Sequence, residues 1–224
     1  MLNNLLVKSL SLLISFLFVN VNTSTAKEKE VFEAPKKLNT YGMPGSIDTP
    51  TAEVFPEGQF SVSSSIFGGT IRTNLSFQVM EDVTVSFRYA RIPSAGGDHR
   101  GYFWDRSFDF HYLVNKQTKY LPSIAIGLRD FIGTGLYTGE YLVATKNITK
   151  NIKLSGGLGW GRLSGKNNET NIFGREERKI SSVGTGGTLH TNQFFSGTNS
   201  PFLALSYSIS PKLEIIAEMS SDDY

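Results

Sequence analysis

Ile71-Arg72-Thr73-Asn74-Leu75-Ser76-Phe77-Gln78-Val79 alternates apolar and polar side chains when Thr73 is counted with the apolar set. A period of two is the mark of a β-strand with one apolar face. The opposite face holds Arg72, Asn74 and Gln78, and later stretches of the same period carry charges there. Repeated along the chain, this pattern points to an antiparallel transmembrane β-barrel of the outer-membrane type, with a wall that is apolar toward lipid and polar toward a lumen.

Working outward from that stretch, about nine strand candidates follow Gly58, at approximately 59–67, 70–80, 83–91, 104–114, 122–130, 139–148, 151–163, 201–209 and 212–219. Most approach the ~9 to 11 residues that cross an outer membrane at a tilt. Parity assigns the outward faces: Val83, Val85, Phe87 and Tyr89; Phe108, Phe110, Tyr112 and Val114; Ile152, Leu154, Leu158 and Trp160; Leu213, Ile215, Ala217 and Met219. Every second connection is short (Glu81-Asp82, Asn115 to Leu121, Thr149-Lys150, Ser210-Pro211), and the intervening ones are longer (Ile92 to Phe103, Phe131 to Thr138, Ser164 to Ser200), with Gly68-Gly69 as the exception. Short turns on one side and long loops on the other is the asymmetry of outer-membrane barrels.

The chain before the wall divides in two. Lys8, an apolar run from Leu10 to Val21 and the small residues Ser24-Thr25-Ala26 read as a secretory signal peptide over residues 1–26. The run falls short of the ~20 apolar residues a spanning helix needs, which argues against a membrane anchor. Residues 27–58 read as a periplasmic lead-in without period, gathering Pro35, Pro44, Pro50 and Pro56 and the glycines at 42 and 45. Tyr41, Met43, Ile47, Val54 and Phe55 give it enough apolar surface to pack inside something, a disordered linker being the alternative. The wall then occupies 59–224. With no cysteine, neither lipid attachment through a thiol nor a disulfide framework is available. A formal net charge of +2 gives no reason to expect nucleic acid as a partner. Mean hydropathy of -0.16 is too low for a helical membrane protein and suits an alternating wall.

The chemistry of such a wall lies on its inward face. Parity places Arg72, Arg88, Asp105, Asp109, His111, Arg129, Lys153, Lys212, Glu214 and Glu218 there, as a polar track facing the lumen. Opposite charges sharing one lumen can pair, so the track reads either as a structural ladder or as a path for a hydrophilic polymer. Gly157, Gly159 and Gly161 fall with Ser155 on the inward side of the seventh strand, where missing side chains permit a bend or the close approach of another segment. Gly157-Leu158-Gly159-Trp160-Gly161 lacks the spacing of a dinucleotide loop. His99, His111 and His190 have no metal-ligand spacing. Asp105 and Asp109 lie four apart among basic residues, unlike a glycosidase pair, and no G-x-S-x-G elbow is present. No catalytic residue, cofactor or metal is expected. The alternatives are a soluble periplasmic carbohydrate-binding β-sandwich and a general diffusion pore.

Several ordered motifs carry a resemblance: Thr40-Tyr41-Gly42-Met43-Pro44-Gly45-Ser46-Ile47-Asp48-Thr49-Pro50-Thr51-Ala52, Phe55-Pro56-Glu57-Gly58, Tyr120-Leu121-Pro122, Ala125-Ile126-Gly127-Leu128-Arg129-Asp130-Phe131, Gly133-Thr134-Gly135-Leu136, Glu140-Tyr141-Leu142-Val143-Ala144-Thr145-Lys146 and Gly157-Leu158-Gly159-Trp160-Gly161-Arg162-Leu163. Together they resemble the YjbH family over nearly all of the chain after the leader. The resemblance implies a Gram-negative outer-membrane β-barrel protein that assists exopolysaccharide production or export without enzymatic activity. It would contact outer-membrane lipid, the polysaccharide and other products of the same gene cluster. The chain departs from the family in lacking a lipidation cysteine and in being much shorter. It stops just after a strand, nine is an odd count for a bacterial single-chain barrel, and Asp222-Asp223 interrupt the usual closing strand. A truncated wall is therefore expected, with Ser164 to Ser200 as the loop to meet glycan at the surface.

Overall fold

The two-residue period is realised as nine antiparallel strands in a single sheet: β1 Phe60–Phe67, β2 Thr70–Met80, β3 Val83–Pro93, β4 Tyr102–Asn115, β5 Ser123–Ile132, β6 Gly139–Asn147, β7 Ile152–Trp160, β8 Asn199–Ser210 and β9 Leu213–Met219. Each strand pairs with the next in sequence order, so the sheet is a simple meander. The computed structural model describes residues 36–93, 101–165, 171–173, 189 and 191–222. The signal-peptide assignment over 1–26 lies outside them, as do His99, His190 and most of the expected glycan-facing loop.

The sheet does not close into a barrel, because no ladder joins β1 to β9. It nevertheless curls far enough for both edge strands to reach the same segment. On the β1 side the Ser65 hydroxyl donates to the Thr40 carbonyl at 3.0 Å, and on the β9 side Glu218 accepts from the Ile47 amide at 3.0 Å. Thr40 and Ile47 are themselves joined by a backbone hydrogen bond of 2.8 Å. The lead-in, residues 36–58, therefore packs on the concave face and is not a free linker. Its backbone folds into a small knot held by bridges Leu38↔Pro44 and Gly45↔Pro50. Gly42 makes that knot possible. Its φ of 76° suits glycine, and a Cβ there would fall 2.3 Å from Cβ of Asn74.

Two apolar clusters sit between lead-in and wall. Ala52 and Val54 pack with Leu113, Ala125, Tyr141, Val143, Leu163 and Phe202, while Tyr41 packs with Ala90 and Tyr137. The inward glycines of β7 let neighbours approach closely. A Cβ on Gly157 would meet the Phe202 ring at 2.5 Å, and one on Gly159 would meet Cβ of Leu163 at 2.4 Å.

Two strand limits differ from expectation. The seventh strand stops at Trp160, and Gly161, with φ of 60°, turns the chain into a 3-10 turn over Gly161–Ser164 that folds back beneath the wall. Gly161 thus starts the turn and does not belong to the inward file. The ninth strand begins at Leu213, which leaves Lys212 exposed in the turn after Ser210. β5 runs on to Ile132 through a bulge at Asp130, whose φ of 50° turns its side chain inward beside that of Arg129.

Candidate functional site

The inward face is built mainly from β-alternation. Strand residues two apart share a face, so β3 contributes Thr84, Ser86 and Arg88, and β4 contributes Asp105, Ser107, Asp109 and His111. All are buried, because the lead-in covers them.

Ion pairs anchor the lead-in on several sides. Lys153 Nζ donates to both oxygens of Glu53 at 3.0 and 2.9 Å, and Lys37 pairs with Glu214. Glu218 receives the backbone N–H groups of Ile47, Asp48 and Thr49 at 3.0, 2.9 and 3.4 Å, together with the Thr49 hydroxyl at 3.0 Å. Three successive amides converging on one carboxylate form a cradle of the kind proteins use for anions, here occupied by the wall's own side chain. Between these anchors, Ala52 N–H donates to Thr145 Oγ1 at 2.8 Å and Phe55 N–H to Gln78 Oε1 at 3.1 Å.

Toward the long-loop end the network becomes one of arginines and tyrosine rings. Arg88 Nη1 donates to Asp109 at 2.5 Å with both side chains fully buried, and Arg129 Nη1 donates to Asp222 at 2.9 Å. Arg162 Nε reaches the other oxygen of Asp222 at 3.2 Å, and Arg129 Nη2 donates to the Asp48 carbonyl at 2.8 Å. The Tyr41 ring lies against three guanidiniums, with its centroid 3.9 Å from Cζ of Arg129, 4.5 Å from that of Arg72 and 5.1 Å from that of Arg88. Tyr137 stands edge-on to it at 5.9 Å and meets Arg162 at 4.7 Å. Ring faces carry negative charge density, so they moderate a cluster of cations that water does not reach. Burial, and then the charge of Asp222, pushes the Tyr41 hydroxyl up to about 12.

Of the sequence-derived track, Arg72, Arg88, Asp105, Asp109, Arg129, Lys153, Glu214 and Glu218 do share the concave face. Lys212 does not, for the reason given above. His111 joins the face through a 2.9 Å hydrogen bond between Nδ1 and Tyr141 Oη. Parity keeps Trp160 on the outward side, but it is buried there under Phe173, stacked at 5.4 Å, and Phe195, edge-on at 5.1 Å. Sequence reasoning expected Tyr41 to pack inward but not to meet the arginines, and it missed Tyr137, Glu53, Asp130, Arg162 and Asp222. Strand parity would send Arg162 outward, and only the turn at Gly161 brings it in. Asp222, read as a strand breaker, is the shared anion of two arginines.

Among the described residues no group of His, Cys, Asp and Glu is arranged to hold a metal ion. What the arrangement does is neutralise charge inside a curved wall and fix one segment against it.

The family model for YjbH, described as exopolysaccharide biosynthesis protein YbjH, matches residues 37–224. That match takes in both the lead-in and all nine strands. The chain belongs to the YjbH family. It is 29% identical over 198 residues to the uncharacterized lipoprotein YjbH of Escherichia coli (strain K12), covering 82% of this chain and 28% of that relative. This YjbH-family chain therefore spans well under a third of the length of the curated relative it matches. No solved structure matches it.

Proposed function

We propose that this YjbH-family chain is a non-enzymatic wall unit of an outer-membrane β-barrel that assists exopolysaccharide production or export. The observation that carries the reading is the polarity of the sheet, which is inside out for a protein dissolved in water. Large apolar side chains are exposed on the convex face of strand after strand: Ile66 at 74%, Leu75 at 39%, Phe108 at 45% and Ile215 at 56%. The charged side chains of Arg88, Arg129 and Asp109 are meanwhile buried on the concave face. Contiguous apolar surface beyond a few hundred Å² calls for a partner phase, and a second sheet would be needed to make a sandwich of this one. On β4 the outward residues from Trp104 to Val114 span about 25 Å at ordinary rise and tilt, the height of an outer-membrane apolar band.

Aromatic residues edge this band at both ends, with Tyr89, Tyr102 and Trp104 toward the long loops and Tyr112 and Tyr207 toward the short turns. The word lipoprotein in the name of the E. coli relative supports a place in the cell envelope. The filled concave face weighs against a general diffusion pore. A polymer could follow the polar track only if the lead-in moved aside, so in the conformation seen here the unit serves as a stoppered wall beside the family's other partners in polymer secretion.

Fractionation of cells producing the tagged chain, followed by electrophoresis of boiled and unboiled samples, tests the reading. Recovery in the outer membrane with a heat-dependent mobility shift, together with reduced polymer in the medium of a deletion strain, is the expected result. Recovery in the soluble periplasm would overturn it in favour of the carbohydrate-binding sandwich.

A further inference from the structure

At the long-loop end of β3 and β4 the outward face carries two arginines among its apolar residues. The register pairs Tyr89 with Arg106 and Arg91 with Trp104, and Tyr102 follows on the same face. Two guanidinium-bearing residues therefore stand at diagonal positions, about 7–8 Å apart at the backbone. Each lies against a ring: Cζ of Arg91 is 4.4 Å from the Tyr102 centroid, and Cζ of Arg106 is 5.4 Å from that of Tyr89. Tyr89 and Trp104 stack at 5.3 Å with their planes 18° apart, which locks the cluster together. Below it the wall is fully apolar, with Phe87 and Phe108 in contact at 5.2 Å.

Neither arginine has a carboxylate partner among the described residues. The opposite rim differs: Lys116 pairs there with Glu81 at 2.9 Å, and Lys146 donates to the carbonyls of Thr118, Lys119 and Leu121. A guanidinium whose face rests on a ring keeps its in-plane N–H donors available and suits a bidentate oxyanion. A cation at the edge of hydrocarbon without a counter-charge is unfavourable, and the surface available to a partner there is the lipid side.

We propose that Arg91 and Arg106, framed by Tyr89, Tyr102 and Trp104, bind the phosphate of an anionic lipid headgroup in the outer leaflet. The site rests on the membrane-wall reading above. The phosphate lies between the two guanidiniums while the acyl chains run down over Phe87 and Phe108. Charge complementarity selects the headgroup, and the adjoining apolar strip favours a lipid over free phosphate.

The full chain in neutral detergent is titrated with a diphosphorylated glycolipid, with inorganic phosphate and with an acidic polysaccharide, and bound species are read by native mass spectrometry. The glycolipid should be retained, and Arg91→Gln with Arg106→Gln should weaken its binding at least tenfold. Arg91→Lys with Arg106→Lys should fall between, because the charge remains and the flat stacking is lost. Lys212→Gln, at the other rim, should change nothing. Undiminished glycolipid binding by the double glutamine variant overturns the site. So does full competition by millimolar phosphate, or retention of the polysaccharide in place of lipid. Heat-modifiability of the same samples separates the two ideas: a heat-modifiable chain without lipid discrimination loses only this site, and a chain that is not heat-modifiable loses the wall reading as well.

Discussion

At the scale of single residues the structure turns on charges that water cannot reach. Arg88 and Asp109 have completely buried side chains, so removing one leaves the other unpaired in a low-dielectric setting. Asp109→Ala is expected to lower stability by about 3–5 kcal/mol, and replacing both partners with apolar residues of similar size should recover most of that loss. Urea unfolding of protein refolded into detergent measures both. Tyr41 adds a pH dependence whose sign follows from its raised pKa. The folded state favours the neutral phenol, so this stabilisation is complete below pH ~10 and is lost as pH rises toward about 12. Tyr41→Phe should flatten the fall in unfolding midpoint across that interval, and an unchanged slope would assign it to other groups. Parity put Arg88 and Asp109 on one inward face, where opposite charges can pair, but it did not reach the partners that come from irregular backbone. Parity tells which side a strand residue faces, but Arg162 owes its place to a turn, Asp130 to a bulge and Tyr41 to a segment with no period at all.

Among the elements, the nine strands were legible because each obeys the same two-residue rule, and eight of the nine expected stretches match within about two residues at either end. The seventh overran, since Gly161-Arg162-Leu163 continues the alternation in letters while the backbone at Gly161 leaves the strand region. The lead-in is the least legible element, because its shape comes from prolines, two left-handed glycines and hydrogen bonds to the wall. Two side chains of β9 hold it: Glu218 accepts its amides and Glu214 pairs with Lys37. Glu218→Ala removes the acceptor for three amides, which should loosen the β9 side of the knot while the pairs Lys37–Glu214 and Lys153–Glu53 remain. Limited proteolysis in lipid bilayers should then cut the variant within residues 36–58 several times faster than the wild type, and single-channel recordings should show intermittent openings absent from the parent. Equal cleavage rates would mean that the remaining contacts suffice to seat the segment.

For the molecule as a whole, the convex face sets the environment and the edges set the assembly. Phe108 sits mid-strand on the outward side of β4, so Phe108→Lys is expected to cost about 2–4 kcal/mol in a bilayer, as for other cations at the midplane, while changing little in a soluble sandwich. Folding yield into liposomes of increasing urea content distinguishes the two. The meander carries a further consequence through its strand directions. In a meander every odd-numbered strand points the same way, so β1 and β9 are parallel neighbours-to-be. Pairing them directly would put one parallel seam in an otherwise antiparallel ring. A second copy inserted with the same orientation would merely repeat that mismatch at two seams. A copy turned over to correct the polarity would send its long loops to the wrong side of the membrane. The open sheet thus behaves like a sentence with unmatched brackets: an all-antiparallel ring built on it takes an odd number of further strands.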